Sequence, residues 1–228
     1  MDNLCIIPAR GGSKRIPKKN IRHFLGKPII SYSIEAAIKS QLFTEIMVST
    51  DNEDIAEIAK KYGAKIPFIR SIENSGDLST TYDVIEEVIT KYKKNGRNFE
   101  NICCIYPCAP FVTKQKLDLA LKTLIKNKFD AVIPIISYNF PIQRAFKLID
   151  GRIEFFNPTH LNTRTQDLEN SYHDAGQFYW MRTEKILKNK KIITKNCGSI
   201  LIPEIEGQDI DTEKDWKLAE IKFKALYK

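Results

Sequence analysis

The sequence predicts an α/β fold: a three-layer, doubly wound, mostly parallel sheet with helices on both faces and one inserted β-rich arm. Three observations carry this. Short apolar runs alternate with longer segments whose apolar residues recur at helical spacing, the mark of βαβ units. The run at 101–106 is apolar almost throughout, as in a strand buried on both faces. From 137 to about 172 the helical period disappears, then regular order returns.

Each element follows in order. Residues 3–7 are short and apolar, a first strand. Residues 28–39 carry Ile30, Ile34, Ala37 and Ile38 as a helical stripe. A second strand takes 45–49. Residues 54–62 repeat Ile55, Ile58, Ala59 and Tyr62, and Gly63 caps that helix. A third strand is expected at 65–69 and a helix at 79–94, ending before Gly96. After the strand at 101–106, a helix over 113–126 carries Leu117, Leu121, Leu124 and Ile125. A fifth strand takes 131–136. The arm over 137–172 holds Phe140, Pro141, Phe155, Phe156 and Pro158, with a turn at Asp150-Gly151. Its aromatic content argues against disorder. Strands at 177–181 and 199–202 flank a short helix at 183–188. A last helix, 212–227, carries Trp216, Ala219, Phe223 and Leu226. Residues 1–228 read as a single domain, with 137–172 as its insertion.

Composition bounds the function. Hydrophobic residues make up 43% and charged residues 28%, as in an ordinary globular chain. No apolar run reaches about 18 residues, so no membrane span is expected. The first residues do not make a signal-peptide start, and the cytoplasm is the expected compartment. The five cysteines form no CxxC and the three histidines are scattered, which argues against zinc. Cys5, Cys103 and Cys104 sit in apolar runs and read as reduced core residues. The net charge of +8 is spread over amphipathic segments such as KYKKNG, so no nucleic-acid surface is expected.

Ligands of such sheets bind at the carboxyl ends of the strands. The loops to inspect are ARGGSKRIPKKN, STDNED and PCAPFVT. In the first, Gly11 and Gly12 let backbone N–H groups approach an anion. Lys14, Arg15, Lys18 and Lys19 add positive charge. Neither G-x-x-x-x-G-K-[ST] nor G-x-G-x-x-G is present, which excludes the P-loop and the dinucleotide fingerprint. Pro17 and the run through Asn20 make a wrapping segment, suited to a triphosphate. Near the C-terminus, Asp209 and Asp211 point to one side in extended chain. Two hard carboxylates suit Mg²⁺, which completes its shell with water and phosphate. Thr212-x-x-Asp215 also resembles a capping box.

IPARGGSKRIPKKN, VSTDNEDIAEIAKKYGA and DIDTEKDW, in that order, resemble the cytidylyltransferases that activate acidic sugars, the CMP-sialic acid synthetase group. The resemblance covers essentially the whole chain. It implies a nucleotidyltransferase, Rossmann-like fold and the reaction of CTP with an acidic nine-carbon sugar, giving a CMP-sugar and pyrophosphate with Mg²⁺. By matching position it implies that Ala9, Arg10, Gly11, Ser13, Lys14, Lys19 and Asn20 hold the triphosphate. Arg70 would read the cytosine, although the group usually has proline where this chain has Ser71. Ser79 and Thr81 fall where the base edge is contacted. Asp209 and Asp211 match the metal ligands and, with Arg10, Lys14 and Lys19, make the catalytic set. Arg164 and Gln166 match the sugar-site RxQ.

The sugar is an anion and needs a fork of donors, for which Arg144 and Arg164 are the candidates. Gln143, His173, Asp174 and Gln177 complete the substrate set. FPIQRA and YHDAGQFYW are most similar to members acting on pseudaminic acid, with N-acetylneuraminate and legionaminate as alternatives. The arm resembles the group's dimerisation extension, so a homodimer with shared sites is expected. A nucleotide-sensing module, an RNA-binding protein and a transferase for a neutral sugar phosphate are the rival readings.

Overall fold

The computed structural model describes residues 1–227. β1 (Asn3–Pro8) leads into the glycine-rich loop. A small hairpin, β2 (His23–Phe24) with β3 (Lys27–Pro28), hands the chain to α1 (Ile29–Ser40). β4 (Glu45–Ser49) is followed by α2 (Glu53–Lys61), whose N-cap Asn52 accepts the Ile55 N–H. α3 (Thr81–Lys94) starts in a capping box of Thr80 and Asp83. β5 (Asn101–Ile105), α4 (Lys114–Lys126), capped by Thr113, and β6 (Ala131–Ser137) follow. The arm contains a hairpin, β7 (Phe146–Ile149) with β8 (Arg152–Phe155). β9 (Tyr172–Asp174) and β10 (Phe178–Arg182) bring the chain back. α5 (Thr183–Asn189), β11 (Cys197–Leu201) and α6 (Glu213–Tyr227) complete it.

The main sheet runs β11-β6-β10-β5-β1-β4, with β9 pairing the end of β6. β1 is parallel to β4 and β5, and β11 is parallel to β6. β10 is antiparallel to both its neighbours. The expected mostly parallel sheet therefore carries a reversed strand at its centre. An apolar run signals a strand but not its direction. Because the arm, not a crossover helix, leads into β10, the parallel constraint is lifted.

Strand alternation sends side chains to two cores. Cys5, Ile7, Val48 and Cys103 face Ile30, Ile34, Ile55, Leu117 and Leu124. Leu4, Ile6, Met47 and Cys104 face Ile85, Val88, Tyr92 and Ile186 on the other side. A third cluster seats α6 on the small hairpin, with Phe24 edge-on to Trp216 at 5.6 Å. The expected core cysteines are fully buried and unpaired.

The strand expected at 65–69 is reduced to one bridge, Lys65 with Met47. Pro67 has no N–H to give the ladder, and Ile69 is 53% exposed. The chain rejoins β4 only when Arg70 N–H donates to the Thr50 carbonyl at 2.9 Å. The arm turns at Asp150-Gly151, where the sequence placed a turn. Its large apolar side chains are uncovered, with Phe140 84% and Leu148 75% exposed.

Candidate active site

The carboxyl ends of β1 and β5 and the amino end of β10 open into a cleft of about 510 Å³. Residues from the glycine-rich loop, from 70–81, from 106–108, from 174–179 and from 209–211 line it.

The glycine-rich loop is fitted at its back and cationic at its front. Gly11 N–H donates to Asp51 Oδ1 at 2.8 Å. A Cβ on Gly11 would stand 3.0 Å from Asn52 Cβ, so the loop's close approach to α2 leaves little room for a side chain. Buried Asn20 closes the loop, donating to the Arg10 carbonyl at 2.9 Å and accepting from Cys108 Sγ at 3.3 Å. On the cleft side, Lys19 Nζ donates to the Ile210 carbonyl at 2.7 Å. Arg15 Nη2 lies 2.9 Å from Asp211 Oδ1. Arg10 Nη1 and Lys14 Nζ both reach Asp77, at 2.9 and 2.5 Å.

Asp209 and Asp211 face these cations. Burial, then the charge of Asp211, raises the Asp209 carboxyl above its ordinary value, and Lys19 opposes this. Two like charges held together in a half-buried place are relieved by a cation. Among the described residues no group of three or more His, Cys, Asp or Glu converges. A divalent ion here would thus have two protein oxygens and depend on water and phosphate for the rest, which suits Mg²⁺. Thr212 and Asp215 form the capping box as well: Asp215 Oδ2 accepts from the Thr212 N–H at 2.8 Å, and Thr212 Oγ1 accepts from the Asp215 N–H at 3.3 Å. The last helix is therefore capped without using either metal candidate.

Arg70 is buried and tied to the end of β4. Its Nε donates to Ser49 Oγ at 3.0 Å and its Nη2 to the Ser49 carbonyl. Burial lowers its pKa, partly offset by Asp51 and Glu87. Ser71 places both its N–H and its hydroxyl on Glu87, at 2.9 and 3.0 Å, a bond that proline's missing N–H could not make. Thr81 Oγ1 is 3.1 Å from Tyr106 OH. Tyr106 packs edge-on to Tyr179 at 5.5 Å, and Tyr179 OH donates to Asp174 Oδ2 at 2.5 Å. Burial, then Tyr106, pushes the Tyr179 phenol far up, so it stays a donor. Gly176, at φ +63°, bends the chain between β9 and β10 and gives its N–H to Asp174 Oδ1 at 2.8 Å.

The structure thus brings Arg10, Ser13, Lys14, Lys19, Asn20, Arg70, Ser79, Thr81, Asp174, Asp209 and Asp211 to one cleft. Ala9 is buried beneath the loop and Gly11 sits at its back. The remaining sugar candidates lie elsewhere. Gln177 is 1% exposed, and its amide donates to the Glu206 carbonyl at 2.6 Å, bracing the turn there. His173 packs on Tyr138 with ring centroids 4.9 Å apart. Gln143 donates to the Glu169 carbonyl at 2.8 Å and Arg144 Nη1 to Thr165 Oγ1 at 3.5 Å, both within the arm. Arg164 and Gln166 are both exposed on the arm. Sequence reasoning missed Asp77, Tyr106 and Tyr179. The hydroxyls of YP and FYW carried no signal apart from their strands, and Asp77 stood in a stretch that read only as loop.

The sequence profile of the cytidylyltransferase family matches residues 4–202. The chain is 41% identical over 225 residues to a pseudaminic acid cytidylyltransferase of Campylobacter jejuni subsp. jejuni serotype O:2, covering 98% of this chain and 97% of that one. It is 32% identical over 225 residues to a CMP-N,N'-diacetyllegionaminic acid synthase of Legionella pneumophila subsp. pneumophila, covering 95% and 94%. Among solved structures, a CMP:2-keto-3-deoxy-manno-octonic acid synthetase superposes with a TM-score of 0.73 over 99% of both chains, at 15% identity. That likeness is one of fold.

Proposed function

The chain belongs to the cytidylyltransferase family, and from that premise we propose that it joins CTP to pseudaminic acid, releasing pyrophosphate. The observation that carries the chemistry is the meeting of Arg10, Lys14, Arg15 and Lys19 with Asp209 and Asp211 in one cleft. The sugar is inferred from the 41% identity along nearly the whole chain.

In this reading the sugar's anomeric oxygen attacks the α-phosphorus. An O–P bond forms and the α–β bridge breaks. Pyrophosphate leaves with the bonding pair, and the hydroxyl proton passes to solvent. Such a transfer needs positioning and charge neutralisation more than covalent help. Arg10, Lys14 and Lys19 hold the β- and γ-phosphates, with Ser13 and Asn20 shaping the loop around them. Arg70, with two of its donors fixed on Ser49, presents the rest of its guanidinium to the base, beside Ser79 and Thr81. Asp209 and Asp211 would hold Mg²⁺, which when bound would supply Lewis-acid neutralisation of phosphate charge. Asp174, oriented by Tyr179 and Gly176, faces the end of the cleft where the sugar would enter.

Gln143, Arg144, Arg164, Gln166 and His173 lie outside this cleft in a single chain. We place them in the partner's cleft of a homodimer, to which the arm would carry them. The uncovered Phe140, Leu148 and Ile153 support this, since burying each would contribute about 1.5–3 kcal/mol. Among the described residues no helix is long and apolar enough to cross a membrane. The test is pyrophosphate release with CTP, Mg²⁺ and a panel of pseudaminate, N-acetylneuraminate, legionaminate and Kdo. Turnover with pseudaminate is expected. Preference for another acid would overturn the sugar, and silence with all four despite CTP binding would overturn the reaction.

A further inference from the structure

Asp77 stands where an anion would stand. Its carboxylate is 2.9 Å from Arg10 Nη1 and 2.5 Å from Lys14 Nζ, and Arg10 also donates to the adjacent Gly76 carbonyl at 3.0 Å. Two cations assigned to the β- and γ-phosphates are therefore occupied by one acid from another segment. That segment is anchored at both ends. Ser71 and Asn74 bond to Glu87 of α3, and Thr80 caps α3. Between these anchors Ile72 and Leu78 are 90% and 97% exposed, and a Cβ on Gly76 would meet nothing within 4 Å. Lys14 first, then Arg10, holds the Asp77 carboxyl below its ordinary value, so it is charged at neutral pH.

Resting on the reaction proposed above, we infer that Asp77 is an internal competitor for the leaving pyrophosphate. It neutralises Arg10 and Lys14 in the empty cleft, yields them to the phosphates of CTP, and reclaims them as pyrophosphate departs. No covalent bond changes at Asp77; one set of ion pairs replaces another. The side chains in these pairs are 37% to 79% exposed, and solvent-exposed ion pairs are weak and exchange readily. CTP, held also through its base and a metal ion, displaces Asp77. Pyrophosphate loses the base contacts once the bond breaks, so the competition then favours Asp77. The residue thus sets how strongly the site retains its product, and it acts through Arg10 and Lys14.

The experiment measures pyrophosphate binding by calorimetry and product inhibition by kinetics. Asp77→Asn keeps the shape and removes the charge; Asp77→Ser is a second neutral variant. Both are expected to bind pyrophosphate about three- to tenfold more tightly than wild type, with a lower KM for CTP and a lower kcat. Structural damage would loosen pyrophosphate, so tightening separates the two causes. Unchanged or weaker pyrophosphate binding in a folded neutral variant that still binds CTP would overturn the role of Asp77 alone. Wild-type protein that bound neither CTP nor pyrophosphate would overturn the reaction itself, and this inference with it.

Discussion

Lys19 Nζ lies 3.4 Å from Asp211 Oδ1, across 192 residues of sequence. The pair joins the loop after β1 to the segment before α6, the two stretches on which the proposed chemistry rests. Asp211 has Arg15 as a second cation, yet its side chain contributes none of the α6 cap, which Thr212 and Asp215 form. Asp211→Ala is therefore expected to stay folded and to lose on the order of 10²–10³ in turnover. Near-normal pyrophosphate release by this variant would remove Asp211 from the site.

Glu87 fixes the segment next to Arg70. Burial would raise its pKa, but hydrogen bonds from Lys91, Asn74 and Ser71 pull it down to about 2 from an ordinary 4.5. A carboxyl depressed by folding stabilises fully above its unfolded value. That contribution is lost as pH falls from about 4.5 toward 2. Urea midpoints measured between pH 5 and pH 2.5 should fall more steeply for wild type than for Glu87→Gln. The same slope in both would show that these hydrogen bonds do not distinguish folded from unfolded chain.

The arm supplies a test of the shared site. Leu148→Glu puts a charge on a side chain that is 75% exposed in the single chain, so the chain's own fold should be unaffected. In the proposed dimer that charge would be desolvated, which is costly without a partner. Light scattering should report a monomer, with the KM for the sugar raised at least about tenfold and CTP binding unchanged. A monomer with full activity toward the sugar would detach the arm from the site.

Gly11 and Gly12 should respond differently to one added methyl. At Gly11 the methyl would press on Asn52, the cap of α2, at 3.0 Å. Overpacking of this kind costs about 1–3 kcal/mol, or a Tm lower by roughly 2–12 °C for a chain of this size. At Gly12 nothing lies within 4 Å, and Gly12→Ala should keep its melting temperature. Equal losses in a thermal scan would contradict the fitted back of the loop.

Much of the fold was legible because local patterns met little tertiary opposition. The stripes of α1, α2 and α4 and the box of Thr212 with Asp215 are local signals, and the chain obeys them. The segment 65–69 read as a strand because its apolar residues outvoted Pro67, whose missing N–H decides the pairing. The direction of β10 had no local signal. In the site, the cations of the glycine-rich loop and the two late aspartates were legible because charge at a strand's end is conspicuous. Asp77 was not, since its meaning comes from Arg10 and Lys14, folded against it from more than 60 residues away. Gln177 read as a ligand-facing amide because residue type does not reveal which side of a strand is buried.

The reversal of β10 reaches beyond the sheet itself. The chain leaves β6 at Ser137 and returns opposite it at Tyr172, with Tyr138 N–H donating to the Ser171 carbonyl at 2.9 Å. The two ends of the insertion are thus stapled side by side at the rim of the cleft, while Trp180 against Val132 holds the register below. Whatever lies between such ends can lengthen, shorten or be exchanged without moving β1, β5 or the glycine-rich loop. The residues from 138 to 171 form a replaceable cassette. On the proposed reading, in which the arm serves the sugar site, transplanting that stretch from a relative should change the sugar accepted while the nucleotide half stays untouched.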